Sequence, residues 1–405
     1  MPETRIVLKN CEKIDPRDLK TYLAADGFKA WKRCQEELSP EEVIKEIKSS
    51  ELLGRGGAGF SCGLKWELAR KNEGEEKYLI CNGDEGEVGA FKDRYILSWD
   101  PFSLIEGLAI AAYAIGAKKA YIYLRAEYHF LLNGLEQAIQ QVEDGGFLNQ
   151  SDIQIVEGAG AYICGEESAL MESIEGKRGE ARFKPPFPPI KGLFGRPTII
   201  NNVETLVNIP RIILKDADWF KTMGTEKSKG TKVFSVSGDV ERPGVYELLM
   251  GSPLKELVVD LAGAQEVKAV QVGGASGRIL PKALLDTPLA YEHVLGSGAV
   301  VVFNRHRDLI DIVHRNMEFL AEESCGKCTP CREGTYWMLQ LYERLLRGKG
   351  VPADVDLLCS VARGIQGKCL CPLGEFSTSA VVSGLTRFRQ DFDAQVEIPR
   401  ERAAA

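Results

Sequence analysis

The stretch YLICNGDEGEVGAFKDR, residues 78–94, decides the fold of the first half of the chain. Its apolar run, YLIC, stops at a glycine-rich acidic turn, which is typical of a buried strand whose carboxyl end meets a loop. The runs KAYIYL (119–124) and DIQIVE (152–157) repeat the pattern, with helical segments near 101–115, 128–143 and 165–175. Strands that alternate with helices predict an α/β domain whose parallel sheet is covered on both faces.

Polar side chains crowd into the turn that follows this strand, namely Asn82, Asp84, Glu85 and Glu87. Ligands of open parallel sheets bind beyond the carboxyl ends of the strands. One interpretation of the turn is a solvated acidic loop. The other is functional: Asn82 and Asp84 hydrogen-bond a flavin ring or its ribityl chain, and Glu85 or Glu87 holds a nicotinamide amide or ribose.

The third strand ends similarly, in EGAGAYICGEESAL (157–170). There Tyr162 offers a stacking platform, and Glu166 and Glu167 fall at a helix N-terminus, where the helix dipole stabilises carboxylates. We therefore expect this second turn, with Gly165, to lie beside the first one at the same edge of the sheet.

A glycine-rich loop, GRGGAGF (54–60), precedes the first strand. It formally contains G-x-G-x-x-G, but helical, charged residues come before it where a dinucleotide-binding fingerprint needs a strand. Glycines still allow a backbone to approach a phosphate closely, and Lys65 could pair with that phosphate. A ligand cradle and a tight structural turn both remain open.

We predict that the chain has three sections, with boundaries at 1–230, 231–308 and 309–405. The run FKPPFPP (183–189) cannot be regular structure, since proline lacks a backbone donor. Residues VFSVSGDVERPGVYEL (233–248) predict two strands joined by a turn, within a small mixed sheet that carries one helix. Beyond about residue 308 the apolar spacing becomes helical and predicts a bundle interrupted by cysteine loops.

The segment ESCGKCTPCREG (323–334) carries three cysteines, Cys325, Cys328 and Cys331, at C-x2-C-x2-C spacing. This spacing is tight for zinc, whose ligands usually come in separated pairs, but it suits a four-iron cubane. Either Cys369 or Cys371 could supply a fourth thiolate. Zinc and reduced structural cysteines are the alternatives. Cysteines elsewhere are expected to be small apolar core residues: Cys11, Cys34, Cys62, Cys81 and Cys164.

Charge and hydropathy exclude several classes of protein. The net charge is −7 with acids and bases interspersed, so no basic stripe predicts a nucleic acid or anionic lipid partner. The sequence has neither an apolar run long enough to span a membrane nor a signal-like start, so we expect a cytoplasmic chain. The histidines share no ligand spacing and are predicted to be structural or on the surface: His129, His293, His306 and His314.

Taken together, the motifs GRGGAGF, LKW, NGDEGE, GAGAYICGEESAL, KPPFP, INNVET, ESCGKCTPCREG and CPLGE resemble those of the NADH-binding flavoprotein subunit (51 kDa-type) of respiratory complex I. The resemblance runs from about Leu52 to Glu375. It implies a Rossmann-like FMN and NADH domain, a ubiquitin-like β-grasp domain and a four-helix bundle with a 4Fe-4S cluster. It also implies hydride transfer from NADH to FMN, with single electrons passing to the cluster.

The resemblance assigns roles to individual residues. For FMN it implies Gly54, Arg55, Gly56, Gly57, Lys65, Asn82, Asp84, Asn201, Asn202 and Thr205. For NADH it implies Phe60 and Phe187 around the adenine, with Glu85, Glu87, Tyr162, Glu167 and Lys184 nearby. It selects Cys371 over Cys369 as the fourth cluster ligand. Glu85 and Glu87 are the residues that we expect to act at the hydride step, by orienting the nicotinamide.

The resemblance also implies partners: a small thioredoxin-like 2Fe-2S subunit and a larger multi-cluster iron–sulfur subunit, on the cytoplasmic face of a membrane. A rival interpretation is the diaphorase subunit of a soluble hydrogenase or formate dehydrogenase, although those proteins often carry an additional amino-terminal thioredoxin-like domain that we do not find here. A third is a cluster scaffold without a working flavin site. Two residues depart from the family pattern: Leu53 replaces a usual Arg, and Gly86 replaces a frequent Ser.

Overall fold

The computed structural model of the chain describes residues 3–72, 76–148 and 152–397. The ends of the predicted first and third sections, residues 1–2 and 398–405, lie outside the described residues. We call the elements up to residue 221 the first unit. Its helices and strands are α1 (Leu19–Ala24), α2 (Lys29–Glu37), α3 (Pro40–Ser49), α4 (Cys62–Arg70), β1 (Tyr78–Gly83), α5 (Lys92–Trp99), α6 (Pro101–Ile115), β2 (Lys119–Leu124), α7 (Leu132–Asp144), β3 (Asp152–Glu157), α8 (Glu167–Ile174), β4 (Thr198–Asn202), α9 (Val203–Lys215) and α10 (Ala217–Lys221).

The first unit is built on a parallel sheet with the strand order β3-β2-β1-β4. The α/β prediction is therefore confirmed; β2 and β3 have the predicted bounds, and β1 continues two residues beyond the predicted run 78–81, to Gly83. The strand β4 was not predicted, because its apolar part, Ile199 and Ile200, is too short to stand out. Its position matters, because the register pairs Asn202 with Asn82 and so brings the INNVET segment to the acidic turn.

Helix α6 crosses the centre of the first unit with nearly every residue buried. Gly107 allows the crossing with α9, since a Cβ there would lie 2.3 Å from the Leu206 carbonyl oxygen. Asp100 caps the start of α6 by accepting from the backbone N–H of Ser103, and Gly116 ends it in a left-handed conformation. These residues therefore set where α6 begins and ends and how closely it packs against α9.

The second unit is a mixed five-stranded sheet with the order β6-β5-β9-β7-β8. The first two strands of this unit, which were predicted from residues 233–248, form the expected antiparallel pair. The short strand after residue 277 was not predicted, because its four residues carry no alternation that sequence could reveal. The strands are β5 (Thr231–Gly238), β6 (Gly244–Leu249), β7 (Val267–Val272), β8 (Arg278–Pro281) and β9 (Ala299–Asn304).

The amino-terminal arm, residues 3–8, is anchored on the second unit by one buried carboxylate. Glu247 of β6 accepts hydrogen bonds from the backbone N–H groups of Ile6 (2.8 Å), Val7 (3.0 Å) and Leu8 (2.9 Å). The Thr231 hydroxyl donates to it as well, at 2.5 Å. The arm thus reaches across from the first unit and ties the two units together.

Buried charges make a second link between these units. The Glu204 carboxylate on α9 lies 3.0 Å from the Lys92 ammonium and 2.5 Å from the Lys232 ammonium of β5. Asp93 pairs with Lys92 at 2.7 Å. Burial lowers the pKa of Lys232 to about 7, although Glu204 opposes that shift. Such a network is costly to disrupt, since removing one partner leaves a buried charge unpaired.

The third unit is helical, as predicted. Four longer helices pack around an apolar core, and a short fifth helix closes one end. Among the helices of the described residues, none combines the length and hydropathy of a membrane span. The helices of this unit are α11 (Leu309–Glu322), α12 (Thr329–Leu346), α13 (Pro352–Ile365), α14 (Pro372–Arg387) and α15 (Arg389–Glu397).

Candidate functional site

A cleft of about 1030 Å³ opens at the carboxyl ends of the parallel strands. Its walls come from all three units: the acidic turn, the loops at 272–278 and 291–297, and the start of α14. This volume is at the upper end for a site that holds one small ligand, so it leaves room for two ligands side by side.

Most of the predicted ligand-binding residues line this cleft. The structure brings together segments that are far apart in the sequence: the glycine loop, the acidic turn, the turn after β3 and the proline run. The predicted residues in the lining are Gly56, Gly57, Phe60, Lys65, Asn82, Asp84, Glu85, Glu87, Tyr162, Gly165, Glu166, Glu167, Lys184, Phe187 and Asn202.

Asp84 presents a carboxylate to the cleft. Its backbone N–H donates to the Asn82 side chain at 3.0 Å, and Asn82 donates to the Gly165 carbonyl at 2.8 Å, so the turn is rigid. Burial raises the pKa of the Asp84 carboxyl to about 7. A buried carboxylate of this kind favours a ligand that brings a hydrogen-bond donor.

The neighbouring carboxylate of Glu85 has a different surrounding. It accepts from the backbone N–H groups of Asp93 and Arg94, each at 3.0 Å, and from the Tyr128 hydroxyl at 3.0 Å. Phe91 at the N-cap of α5 has no side-chain acceptor, so Glu85 caps this helix in its place. Burial and the nearby Asp93 raise the pKa of Glu85.

Glu87 joins the first unit to the second. Its carboxylate accepts from the Tyr162 hydroxyl at 3.0 Å, from the backbone N–H of Ser276 at 3.2 Å, and from the Ser276 hydroxyl. Burial raises the pKa of Glu87 even though these donors oppose it. The carboxylate is therefore held in one orientation at the edge of the cleft.

Two ion pairs also lie in the lining of the cleft. Lys65 contacts Glu167 and donates to the Ile200 carbonyl at 2.8 Å. Lys184 contacts Glu166 at 2.5 Å. Burial alone would raise the pKa of Glu166, but Lys184 outweighs this effect and holds the pKa below its usual range. Both lysines line the cleft and bring positive charge to this part of its wall.

Apolar rings form the rim of the cleft. Phe60 is 53% exposed and Phe187 is 54% exposed, although aromatic side chains of this size are usually buried. Both lie in the lining with Leu68 and Ile190. Exposed aromatic groups at the mouth of a cleft are suited to stacking on a planar ligand.

Four predicted residues do not line the cleft: Gly54, Arg55, Asn201 and Thr205. The Arg55 side chain is fully buried and donates to the carbonyls of Leu53, Lys229 and Thr231. Thr205 accepts from the Arg55 backbone N–H at 2.8 Å. Asn201 accepts from the Trp66 indole at 2.9 Å. In this structure their side chains support the loop, and ligand contacts by them stay a prediction.

Sequence analysis missed the contribution of the second and third units. Ser276, Arg278, Tyr291 and Ser297 line the cleft from the second unit, and Phe376 lines it from α14. His293, expected to be structural or on the surface, also lies in this lining. These residues line the cleft because the second unit packs against segments some 200 residues away in the chain, which no local pattern indicates. The only available signal was the number of glycines near them.

The cysteines surround a second, small cavity. Cys325, Cys328, Cys331 and Cys371 line it together with apolar side chains and Lys327. Helix α12 begins directly after Cys328, and α14 begins directly after Cys371. Two helix N-termini therefore face the cavity, and their dipoles favour negative charge. Four thiols, an apolar wall and these dipoles fit an anionic iron–sulfur cluster.

Cys369 does not line this cavity, although its sulfur lies close to it. A Cβ placed on Gly374 would meet the Cys369 sulfur at 2.4 Å and the Cys331 Cβ at 3.0 Å. Among the described side chains, no three His, Cys, Asp or Glu residues converge closely enough to hold a single metal ion. The lining of the cavity offers four thiols, which is the number of protein ligands that a 4Fe-4S cluster needs. The five cysteines that sequence placed in the core are buried, as expected.

The two cavities share a wall. Ile163 and Leu373 line both the large cleft and the cysteine cavity. Ile163 follows Tyr162 in the turn after β3, and Leu373 is in the first turn of α14. One layer of aliphatic side chains therefore separates the two sites.

Comparison with known proteins identifies three regions. Residues 47–211 match the Nuo51 FMN-binding domain, residues 233–279 match the SLBB domain, and residues 311–395 match the NADH-ubiquinone oxidoreductase-F iron-sulfur binding region. Each region lies within one of the three predicted sections, whose boundaries stay a prediction.

Full-length relatives agree. The F 2 subunit of the NADH-quinone oxidoreductase of Rhizobium meliloti (strain 1021) is 43% identical over 97% of both chains. The HndC subunit of the NADP-reducing hydrogenase of Solidesulfovibrio fructosivorans is 40% identical over 98% of this chain and 84% of that one. A crystal structure of NAD⁺-reducing [NiFe]-hydrogenase in the H2-reduced state gives a TM-score of 0.89 at 38% identity, over 98% of this chain and 68% of that one. The chain therefore belongs to the family of NADH-quinone oxidoreductase F subunits, with that family's FMN-binding and 4Fe-4S regions.

Proposed function

We propose that this chain oxidises NADH in the large cleft, by hydride transfer to bound FMN, and delivers electrons one at a time to a 4Fe-4S cluster held by Cys325, Cys328, Cys331 and Cys371. The observation that carries the proposal is the wall shared by the two cavities, Ile163 and Leu373. One layer of side chains would leave only a short path between a flavin in the cleft and a cluster in the cysteine cavity.

FMN accepts hydride and can release electrons singly, whereas nicotinamide cannot, so FMN can connect a two-electron donor to a one-electron cluster. The residues of the chain bind and orient. The Asp84 carboxylate accepts a hydrogen bond from the flavin, and the Asn82 amide donates one to it. The glycine loop and Lys65 hold the phosphate. Phe60 and Phe187 stack on the adenine, and Lys184 neutralises charge on the nucleotide.

Glu87 acts in this proposal by orienting the nicotinamide ribose or amide, and Glu85 holds α5 and the turn in place. No side chain acts as an acid or base at the hydride step. We therefore expect Glu87→Gln to weaken NADH binding while bound FMN is still reduced at saturating NADH, as measured by stopped-flow flavin absorbance. Loss of flavin reduction with NADH binding intact would contradict this passive role.

An anaerobic titration with NADH tests the proposed function directly. Absorbance near the flavin bands and electron spin resonance of the cluster are followed together in protein reconstituted with FMN, iron and sulfide. We expect bleaching of the flavin and a reduced-cluster signal at substoichiometric NADH. Zinc in place of iron, or a cluster that stays oxidised while flavin bleaches, would refute the proposal.

As part of an assembly, the chain would pass its electrons to partners. We propose a small thioredoxin-like 2Fe-2S protein and a larger multi-cluster protein, with the assembly on the cytoplasmic face of a membrane. The similarity to the NADH-quinone oxidoreductase of Rhizobium meliloti supports this view. Purification of the native complex with its partners, and quinone reduction by it, is the test.

The similarity to hydrogenase subunits supports a second candidate, the diaphorase of a soluble hydrogenase. The cleft and cluster would work identically there, but the electrons would come from or go to hydrogen. Copurification with a nickel-containing partner and hydrogen-dependent reduction of NAD⁺ would favour this candidate over the quinone reductase.

A further inference from the structure

Two loops of the second unit reach into the cleft, and each contacts a group that the proposed function uses. One loop, 273–277, precedes β8 and carries Ser276. The other, 291–298, precedes β9 and carries Tyr291. The first loop lies within the region that matches the SLBB domain, and the second follows that region in the chain.

Tyr291 holds the glycine loop from the opposite side of the cleft. Its hydroxyl donates to the Gly54 carbonyl oxygen. Its ring lies so close to Gly59 that a Cβ there would meet the ring at 2.7 Å, and Gly59 has a φ of +67°. The backbone N–H of Tyr291 donates in turn to Ser228 at 3.1 Å. The curve of the glycine loop is therefore set by contact with the second unit.

Ser276 holds the acidic turn in a similar way. Both its backbone N–H and its hydroxyl donate to the Glu87 carboxylate. Gly274 makes the approach possible, because a Cβ there would lie 2.5 Å from the Glu87 side chain and 2.6 Å from the Val88 carbonyl oxygen. Glu87 is thus fixed between Tyr162 of the first unit and Ser276 of the second.

We propose that the second unit positions the two halves of the active cleft, Tyr291 through the glycine loop that holds FMN and Ser276 through the Glu87 carboxylate that orients NADH. Both are positioning residues, because each acts through another group. The inference rests on the proposed function. It assigns to the second unit a part in forming the cleft, and it predicts that FMN and NADH respond to different residues of the same unit.

The test compares Tyr291→Phe with a matched control, Tyr246→Phe, whose hydroxyl donates to the Arg242 carbonyl at 2.6 Å outside the cleft. Each variant loses one tyrosine hydrogen bond to a backbone carbonyl. We expect the dissociation constant of FMN, from quenching of flavin fluorescence, to rise about two- to tenfold in Tyr291→Phe. The control should stay at the wild-type value.

Ser276→Ala is the second arm. We expect it to raise the KM for NADH with FMN affinity unchanged, and Ser276→Thr, which keeps the hydroxyl, to restore the wild-type KM. Equal FMN affinity in the two tyrosine variants, or an unchanged KM in Ser276→Ala, would overturn the inference. If Tyr291→Phe fails to fold, the serine pair still decides. Wild-type protein that binds no FMN would refute the proposed function instead.

Discussion

Asp84 and Glu85 are adjacent residues with contrasting surroundings. Glu85 is bonded to the first turn of α5 and to Tyr128, whereas the Asp84 carboxylate faces the cleft. The sequence led us to expect Asp84 at the flavin and Glu85 or Glu87 at the nicotinamide, but it did not indicate that Glu85 caps α5. The difference depends on α5 lacking a capping side chain of its own, and that becomes visible only when the helix is seen against the turn.

The pKa of Asp84 gives the first prediction. Burial raises it to about 7, so the carboxylate that we propose as the acceptor of a flavin N–H is present above pH 7 and is lost as the pH falls. We expect FMN affinity to weaken as the pH falls through about 7. In Asp84→Asn the affinity should be lower at pH 8 and should vary less between pH 6 and 8. Titration of FMN fluorescence at several pH values measures both effects, and an unchanged slope in the variant would exclude Asp84 as the acceptor.

Arg55 shows where residue-level prediction reached its limit. The glycine loop could be recognised from its composition, and resemblance assigned Arg55 to the residues that hold FMN. The structure instead buries its guanidinium against three backbone carbonyls, two of them from the segment that leads into β5. Nothing near Arg55 in the sequence indicates that carbonyls some 170 residues later would surround it.

At the scale of elements, the crossing of α6 and α9 depends on one glycine. We expect Gly107→Ala to lower the free energy of unfolding by about 1–3 kcal/mol, because its Cβ would lie 2.3 Å from the Leu206 carbonyl oxygen. Gly134 on α7 is the control, since a Cβ there meets nothing within 4 Å. Gly134→Ala should raise stability by up to about 1 kcal/mol. Urea unfolding measures both, and equal effects would show that the crossing tolerates a methyl group.

The amino-terminal arm gives a second prediction at this scale. Both Glu247 oxygens accept from backbone N–H groups, so Glu247→Gln would turn an amide N–H₂ toward donors. We expect a loss of about 1–3 kcal/mol in the free energy of unfolding at pH 8, with faster proteolysis near residue 6. The folded-state pKa of Glu247, about 7, lies above its unfolded value, so ionisation reduces wild-type stability as the pH rises from about 4.5 to 7. The variant should lack that part of the pH dependence; an unchanged profile would contradict this account.

Elements were the level at which sequence was most informative. The three strands with a strong apolar run were predicted, two of them with the correct bounds and β1 two residues too short, and the hairpin at the start of the second unit was predicted to within two residues at each end. The strands β4 and β8 were missed, since each is short and is stabilised by its neighbours in the sheet rather than by its own residues. The missed β4 is also the element that brings Asn202 to the acidic turn.

At the scale of the whole molecule, the cysteine cavity joins the third unit to the first. We expect Cys371→Ala to lose the 4Fe-4S cluster and Cys369→Ala to keep it, because only Cys371 lines the cavity with the other three thiols. Iron and acid-labile sulfide analysis, with spin resonance after reduction, distinguishes the two. Flavin content serves as the control for folding. A cluster that survives in Cys371→Ala but not in Cys369→Ala would reverse the assignment.

The C-x2-C-x2-C spacing indicated three of the four cysteines that line this cavity, because it places three thiols close together whatever the fold; the choice of Cys371 as the fourth came from the resemblance to a known family. The shared wall could not be predicted in the same way. Ile163 and Leu373 are ordinary aliphatic residues, and their importance comes from lying between two cavities. Sequence therefore indicated both redox sites, and the structure added their adjacency.

The cleft is assembled from three separate parts of the chain, so whatever binds there acts as a clamp on all of them. The binding free energy of that ligand adds to the free energy of unfolding of the whole chain. A cell that is short of riboflavin would consequently contain less of this protein, because chains without bound FMN would unfold more often and would be degraded sooner.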